Sequence, residues 1–246
     1  MKLHNPLEQF DINVYYPMHL GELDLSLTNA SVSMIVATLL AIGLLWLMTR
    51  HMKILPHLGQ TIAESLYLFI KSTIADTIGT KGYSMIPFIM TLFIFVLFGN
   101  LLGLFPYAFT FTSHLSVVGA IAVLGTLVSM CLGVYNRGLA WFHVFFPKGV
   151  PVLLAPLMVP IEIVSFLSKP FSLTVRLVMN MTVGHIMLEI VAGFVFVMGL
   201  AGFVPLLFTG LLILFEVFIG VLQAYVFTIL SCIYLAEAFE GEEEGV

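Results

Sequence analysis

The sequence predicts an all-α polytopic membrane protein. About five membrane helices are expected, with one amphipathic helix lying in the interface and a long tilted C-terminal helical hairpin. Three observations carry this. First, 60% of the 246 residues are hydrophobic and only 9% are charged, with a mean hydropathy of +1.10, whereas a soluble domain carries about 25% charged residues. Second, long stretches hold no charge at all. Third, the last two apolar segments are longer than a bilayer is thick.

Taken in order, residues 1–30 are polar, carry Pro6 and Pro17, and form an N-terminal arm; residues 31–246 form the membrane domain. No cleavable signal peptide is expected at the start. From Leu25 to Thr49 there is no charge, enough for one span of about 20 residues, which Arg50, His51 and Lys53 close. In 57–80, Leu58, Ile62, Leu66, Ile70, Ile74 and Ile78 recur every fourth position, interrupted by Glu64, Lys71 and Asp76. That pattern suits a helix lying in the interface. Between Lys81 and Arg137 lie 55 uncharged residues, enough for two spans that turn near Pro106–His114. Trp141–Pro156 is proline-rich, contains Lys148, and reads as a surface loop. Pro160–Gly199 would run about 60 Å as one helix, against a hydrocarbon core of about 30 Å. Phe203–Phe239 is similarly over-length. These two segments must tilt, kink (Pro170 and Gly184 are candidates) or lie partly across the bilayer. The short Gly-Leu-Ala-Gly connection at 199–202 makes them the two arms of a hairpin over 160–239.

Basic residues set the orientation. Arg50, Lys53, Lys71, Lys81, Arg137 and Lys148 fall on one side of this topology and Lys2 on the other, so the former side faces the cytoplasm or matrix. Net charge −5 is uninformative, because five glutamates crowd the last ten residues. Cys131 and Cys232 lie in apolar runs without CxxC spacing and read as packing residues, not as a disulfide or metal site. No phosphate-binding GxxxxGK[ST] loop is present, and no cofactor, metal or nucleic-acid partner is expected.

The functional residues concentrate in the hairpin. Arg176 is the sharpest signal, because arginine cannot shed its charge and an ion at mid-bilayer costs roughly 2.5–3.5 kcal/mol on insertion scales. Glu162, Lys169 and Arg176 are seven residues apart and share a helix face if Pro170 does not rotate it; Asn180, four further, joins them. His185 falls on the opposite face, with Glu189 one turn beyond. On the returning segment Glu216, Gln223 and Leu230 make a second seven-residue line. An antiparallel hairpin closing at 199–202 pairs positions that sum to about 401. His185 and Glu216 should therefore be level and in contact as an acid–base pair. Blander roles remain open: Lys169 can snorkel to the surface, and Asn180 and Gln223 can serve as interhelical glue.

These motifs resemble the subunit a family of F-type ATP synthases. The likeness runs from Pro6–Phe10 (PLEQF) through Asn100, Pro106–His114 and SLTVRLVMNMTVGH to Gln223–Leu235 (QAYVFTILSCIYL). It departs at Val178-Met179, where an aromatic and a small residue are usual, and the acidic tail has no counterpart. A His at 185 with a Glu at 216 is similar to the mitochondrial and alphaproteobacterial branch. The resemblance implies a stator that conducts protons to and from a rotating c-ring and makes no ATP alone. Arg176 would face the ring carboxylate with Gln223 nearby. Asn180, His185 and Glu216 would belong to the proton pathway on the outer side, Glu162 and Lys169 on the inner, and Asn100 to the pathway as well. Implied partners are the c-ring, peripheral-stalk b-type subunits, other membrane-sector subunits and the lipid bilayer, in a bacterial or mitochondrial inner membrane. Two rivals fit less well. An ion-coupled carrier usually shows duplicated halves with broken helices, and a structural anchor has no use for Arg176.

Overall fold

A computed structural model of the chain describes residues 11–17, 19–20, 23–24, 26–105, 109–138, 141, 145 and 155–239. The PLEQF motif, residues 106–108 of the turn, most of the 141–156 loop and the tail after Phe239 lie outside the described residues. Four short strands, β1 (Val14–Tyr16), β2 (His19–Leu20), β3 (Leu23–Asp24) and β4 (Leu27–Thr28), form two small antiparallel ladders, β1–β4 and β2–β3. Among the described residues six α-helices follow: α1 (Asn29–Thr49), α2 (Leu58–Thr77), α3 (Ile86–Gly103), α4 (Leu115–Arg137), α5 (Ala155–Val197) and α6 (Phe203–Phe239). All but α2 are long and apolar enough to cross a membrane, the second of these spans beginning at the 3₁₀ turn Thr80–Met85. The fold is thus all-α and polytopic.

Local chemistry sets the helix limits. Thr28 Oγ1 accepts the Ser31 amide at 3.3 Å, satisfying one orphan donor of the first turn of α1. Asn29 pins the preceding arm: its Oδ1 accepts the Asn13 amide and its Nδ2 donates to the Asp11 carbonyl. After α2, the Ile78 and Gly79 amides both donate to the Ile74 carbonyl. Gly79 sits at φ 83°, a positive-φ conformation that glycine adopts without strain.

The α2 helix departs from the sequence expectation in its face. Gln60, Ala63, Ile70 and Ile74 are buried, but Leu58 and Ile62 are exposed. A step of four residues advances about 400°, so an apolar line of that spacing drifts about 40° per step and winds round the helix. Gln60 is buried because it holds the preceding connection, pairing with both the amide and the carbonyl of Lys53 at 3.0 and 3.1 Å.

The chain groups into two compact units. One comprises Met1–Leu47, Ile94–Val118 and Arg176–Ala224; the other comprises Met48–Phe93, Gly119–Val175 and Tyr225–Val246. In the first, Ala30 and Ala37 of α1 pack with Phe111, flanked by Phe95, Leu102 and Val117. In the second, α4 presents a stripe of small residues, with Gly119 against Thr174 of α5 and Gly125 against Leu92 of α3 and Ser231 of α6. Small side chains let membrane helices approach closely where water supplies no driving force.

The C-terminal hairpin begins earlier than expected, at Ala155 rather than Pro160, and α5 runs as one helix through both Pro160 and Pro170. Its turn is the 3₁₀ segment Gly199–Gly202. A side chain at Gly202 would meet the Val195 carbonyl, which is why this close turn takes glycine.

Candidate functional site

Within the first unit, the hairpin register is set by glycines. At Gly184 of α5 an added Cβ would overlap the Glu216 carboxylate of α6. The acid therefore occupies the space of the missing side chain. Glu216 and His185 are level, as the hairpin arithmetic expects, but the expected direct pair is not formed. His185 Nε2 lies 3.2 Å from Thr110 Oγ1. Both Glu216 oxygens are buried with no hydrogen-bond partner among the described residues. The reason is angular. Successive helical residues point about 100° apart, so when position 184 faces α6, position 185 is turned away toward the segment after α3.

Asn180 and Glu216 border one cavity of 230 Å³ between α5 and α6, with Met181, Met187 and Phe215 among its walls. That volume holds several waters, and two polar residues give them anchors. Behind it, Asn100 of α3 is fully buried and its Nδ2 donates to the Gly220 carbonyl of α6 at 3.0 Å. A Cβ at Gly220 would stand 3.3 Å from the Asn100 side chain, so this glycine keeps the polar contact short.

Among the described residues, Arg176 and Gln223 form no hydrogen bond with each other. Arg176 is on an exposed stripe of α5 that continues through Met179, Val183, Met187 and Ile190. Spacings of 3 and 4 keep these residues on one face. The guanidinium has no ion-pair partner among the described residues. Gln223 is buried at 3% exposure, its Nε2 without a hydrogen-bond partner among the described residues.

In the second unit, Glu162 is half-buried on α5. Lys169 pairs not with Glu162 but with Glu237 of α6, Nζ to Oε1 at 3.3 Å, and its ammonium lies 5.6 Å from the centre of the Tyr234 ring. Reading Glu237 as part of the acidic tail hid it, yet the rule that pairs positions summing to about 401 places α6 residues near 232 opposite Lys169, about a turn from Glu237. Next to this pair, Pro170 has no amide to give the Phe166 carbonyl, and the Tyr234 hydroxyl donates to that carbonyl instead, at 3.3 Å. Sequence reasoning also missed Thr110. Its signal was its place in a polar turn between two apolar spans.

Comparison with known proteins identifies the family. The family model "ATP synthase A chain" matches residues 31–236. An ATP synthase subunit a of Rhodospirillum rubrum is 46% identical, over 96% of this chain and 98% of the relative. One of Paramagnetospirillum magneticum is 43% identical, over 95% of this chain and 98% of the relative. With a family match across most of its length and near full-length relatives at this identity, the chain belongs to the ATP synthase A chain family.

Proposed function

We propose that this chain is the stationary proton-conducting subunit in the membrane sector of an ATP synthase, working in an energy-coupling inner membrane. It makes no ATP alone. Protons reach a rotating ring of carboxylate-bearing subunits by an outer half-channel and leave by an inner one. The observation that carries this reading is Arg176, a permanent cation on an exposed apolar stripe with no acidic partner on its own chain among the described residues. Such an ion within a bilayer needs a counter-charge, and a ring carboxylate arriving from a partner subunit supplies one.

The outer half-channel comprises Asn180, His185 and Glu216, backed by Asn100, and the cavity between Asn180 and Glu216 supports it. Glu162 and Lys169 belong to the inner half-channel, joined now by Glu237. Gln223 belongs to the path together with Arg176. Arg176 favours the ionised ring carboxylate and so drives proton release. It also opposes direct passage between the half-channels, a leak that would waste about 2.3 kcal/mol per charge at 100 mV. The c-ring, peripheral-stalk b-type subunits and other membrane-sector subunits are the partners. Residues 1–30 form the arm, and 160–239 of the membrane domain carry the path. Arg176→Ala should abolish ATP-driven proton pumping in membrane vesicles while the complex still assembles. Coupled pumping by that variant at the wild-type rate would overturn the assignment.

A further inference from the structure

The turn between α3 and α4 holds one threonine in a position that its surroundings leave little freedom to change. Thr110 is 5% exposed. Its carbonyl accepts both the Ser113 amide at 3.1 Å and the Ser113 hydroxyl at 2.6 Å, and the 3₁₀ turn Phe111–Ser113 that follows is buried throughout. Its side chain fills the space that Gly103 leaves open, where a Cβ would press on the threonine at 2.6 Å. From there Oγ1 reaches two groups: the Gly103 carbonyl at 3.3 Å and His185 Nε2 at 3.2 Å.

Proton counting then decides the direction of each contact. A hydroxyl has one proton. The Gly103 carbonyl closes α3, among the last four of that helix, which lack intrahelical donors. It can only accept, so the hydroxyl proton goes to it. Both contacts are then satisfied together only when the second runs the other way, with Nε2–H donating to Oγ1. The neutral ring is therefore held with its proton on Nε2 and its lone pair on Nδ1.

We infer that Thr110 is a positioning residue for proton transfer, fixing the His185 tautomer so that the ring takes up and releases its mobile proton at Nδ1. This rests on the outer half-channel reading above. The other titratable groups on the segments next to His185 are Glu216, against the adjacent Gly184, Glu189 one turn along α5, and His114 at the end of the α3–α4 turn. Proton uptake at Nδ1 turns neutral imidazole into imidazolium without breaking the Thr110 bond. Release from Nδ1 restores the same tautomer, so the ring need not flip between cycles.

Two measurements on the assembled complex test this. The first is ¹⁵N NMR of histidine-labelled complex in proteoliposomes, with the His185 signal identified by its loss in His185→Gln. Neutral His185 should show a protonated Nε2 and a bare Nδ1; the opposite tautomer overturns the inference, with no Thr110 variant needed. The second is ATP-driven proton pumping per assembled complex. Thr110→Val keeps the shape but removes the acceptor, and should slow pumping by about fivefold, the scale of one lost hydrogen bond. Thr110→Ser keeps the hydroxyl and should recover most of the rate. Wild-type pumping by Thr110→Val, or an equal loss in Thr110→Ser, overturns the inference. Unimpaired pumping by His185→Gln would instead overturn the half-channel role of His185, while the NMR result would still decide whether Thr110 sets the tautomer.

Discussion

Glu216 owes its place to an absent side chain. With its carboxylate in the space of a Gly184 Cβ, Gly184→Ala should displace the acid and lower proton pumping strongly, with little loss of assembled complex; a normal rate per complex would show that this placement is unimportant. The Lys169–Glu237 pair has a different weight. Its side chains are 35% and 22% exposed, so it contributes under about 1 kcal/mol to stability and matters for where it holds charge. Lys169→Gln and Glu237→Gln should each slow pumping, and the double substitution should be no slower than the worse single, because the pair acts together. Additive losses would show two independent roles. His114, between the α3 and α4 spans, supplies a pH test. Its ring stacks on Phe109 at 5.0 Å, and desolvation by burial holds its pKa below the ordinary 6.5. The unfolded chain therefore accepts a proton that the folded chain resists. Stability is full above about pH 6.5 and falls as pH drops from there toward the lowered folded value. Thermal stability of the complex should fall on acidification below pH 6.5, and His114→Asn should flatten that fall.

At the scale of elements, α5 carries a proline in mid-helix and α6 compensates for it. Pro170 leaves the Phe166 carbonyl without its helical donor, and the Tyr234 hydroxyl takes that place. Tyr234→Phe should destabilise the complex by about 1 kcal/mol, since it strands a helix carbonyl. Pro170→Ala returns an amide to that carbonyl and should restore most of the loss, read as the melting temperature of the purified complex. If Tyr234→Phe is equally harmful with and without Pro170→Ala, the hydroxyl serves another purpose. The same bond helps to register α5 on α6 beside Lys169 and Glu237, so an element-level repair also places a functional pair.

For the whole molecule, the five apolar helices among the described residues and the six basic residues on one side of the expected topology predict the orientation. Single cysteines in a background lacking Cys131 and Cys232 test it. Lys53→Cys should label with a membrane-impermeant maleimide in inverted vesicles only, and Phe105→Cys in right-side-out vesicles only. The opposite pattern would reverse the assigned sides and exchange the two half-channels.

The spans, the hairpin turn at 199–202 and the identity of the charged residues in the hairpin were legible in the sequence. Each follows from local quantities: the length of an apolar run against a bilayer, the shortness of a glycine-rich connection, and the cost of an intramembrane ion. Even the level of His185 with Glu216 came from counting. The partners did not. A rotation of one residue, about 100°, sends His185 to Thr110 and Gly184 to Glu216, and helical spacing cannot say which of two adjacent residues faces the neighbouring helix. Glu237 as the partner of Lys169, and Tyr234 as the donor that Pro170 lacks, likewise depend on how two helices lie side by side. That is set by close packing of side chains from distant parts of the chain, and only the tertiary structure decides it.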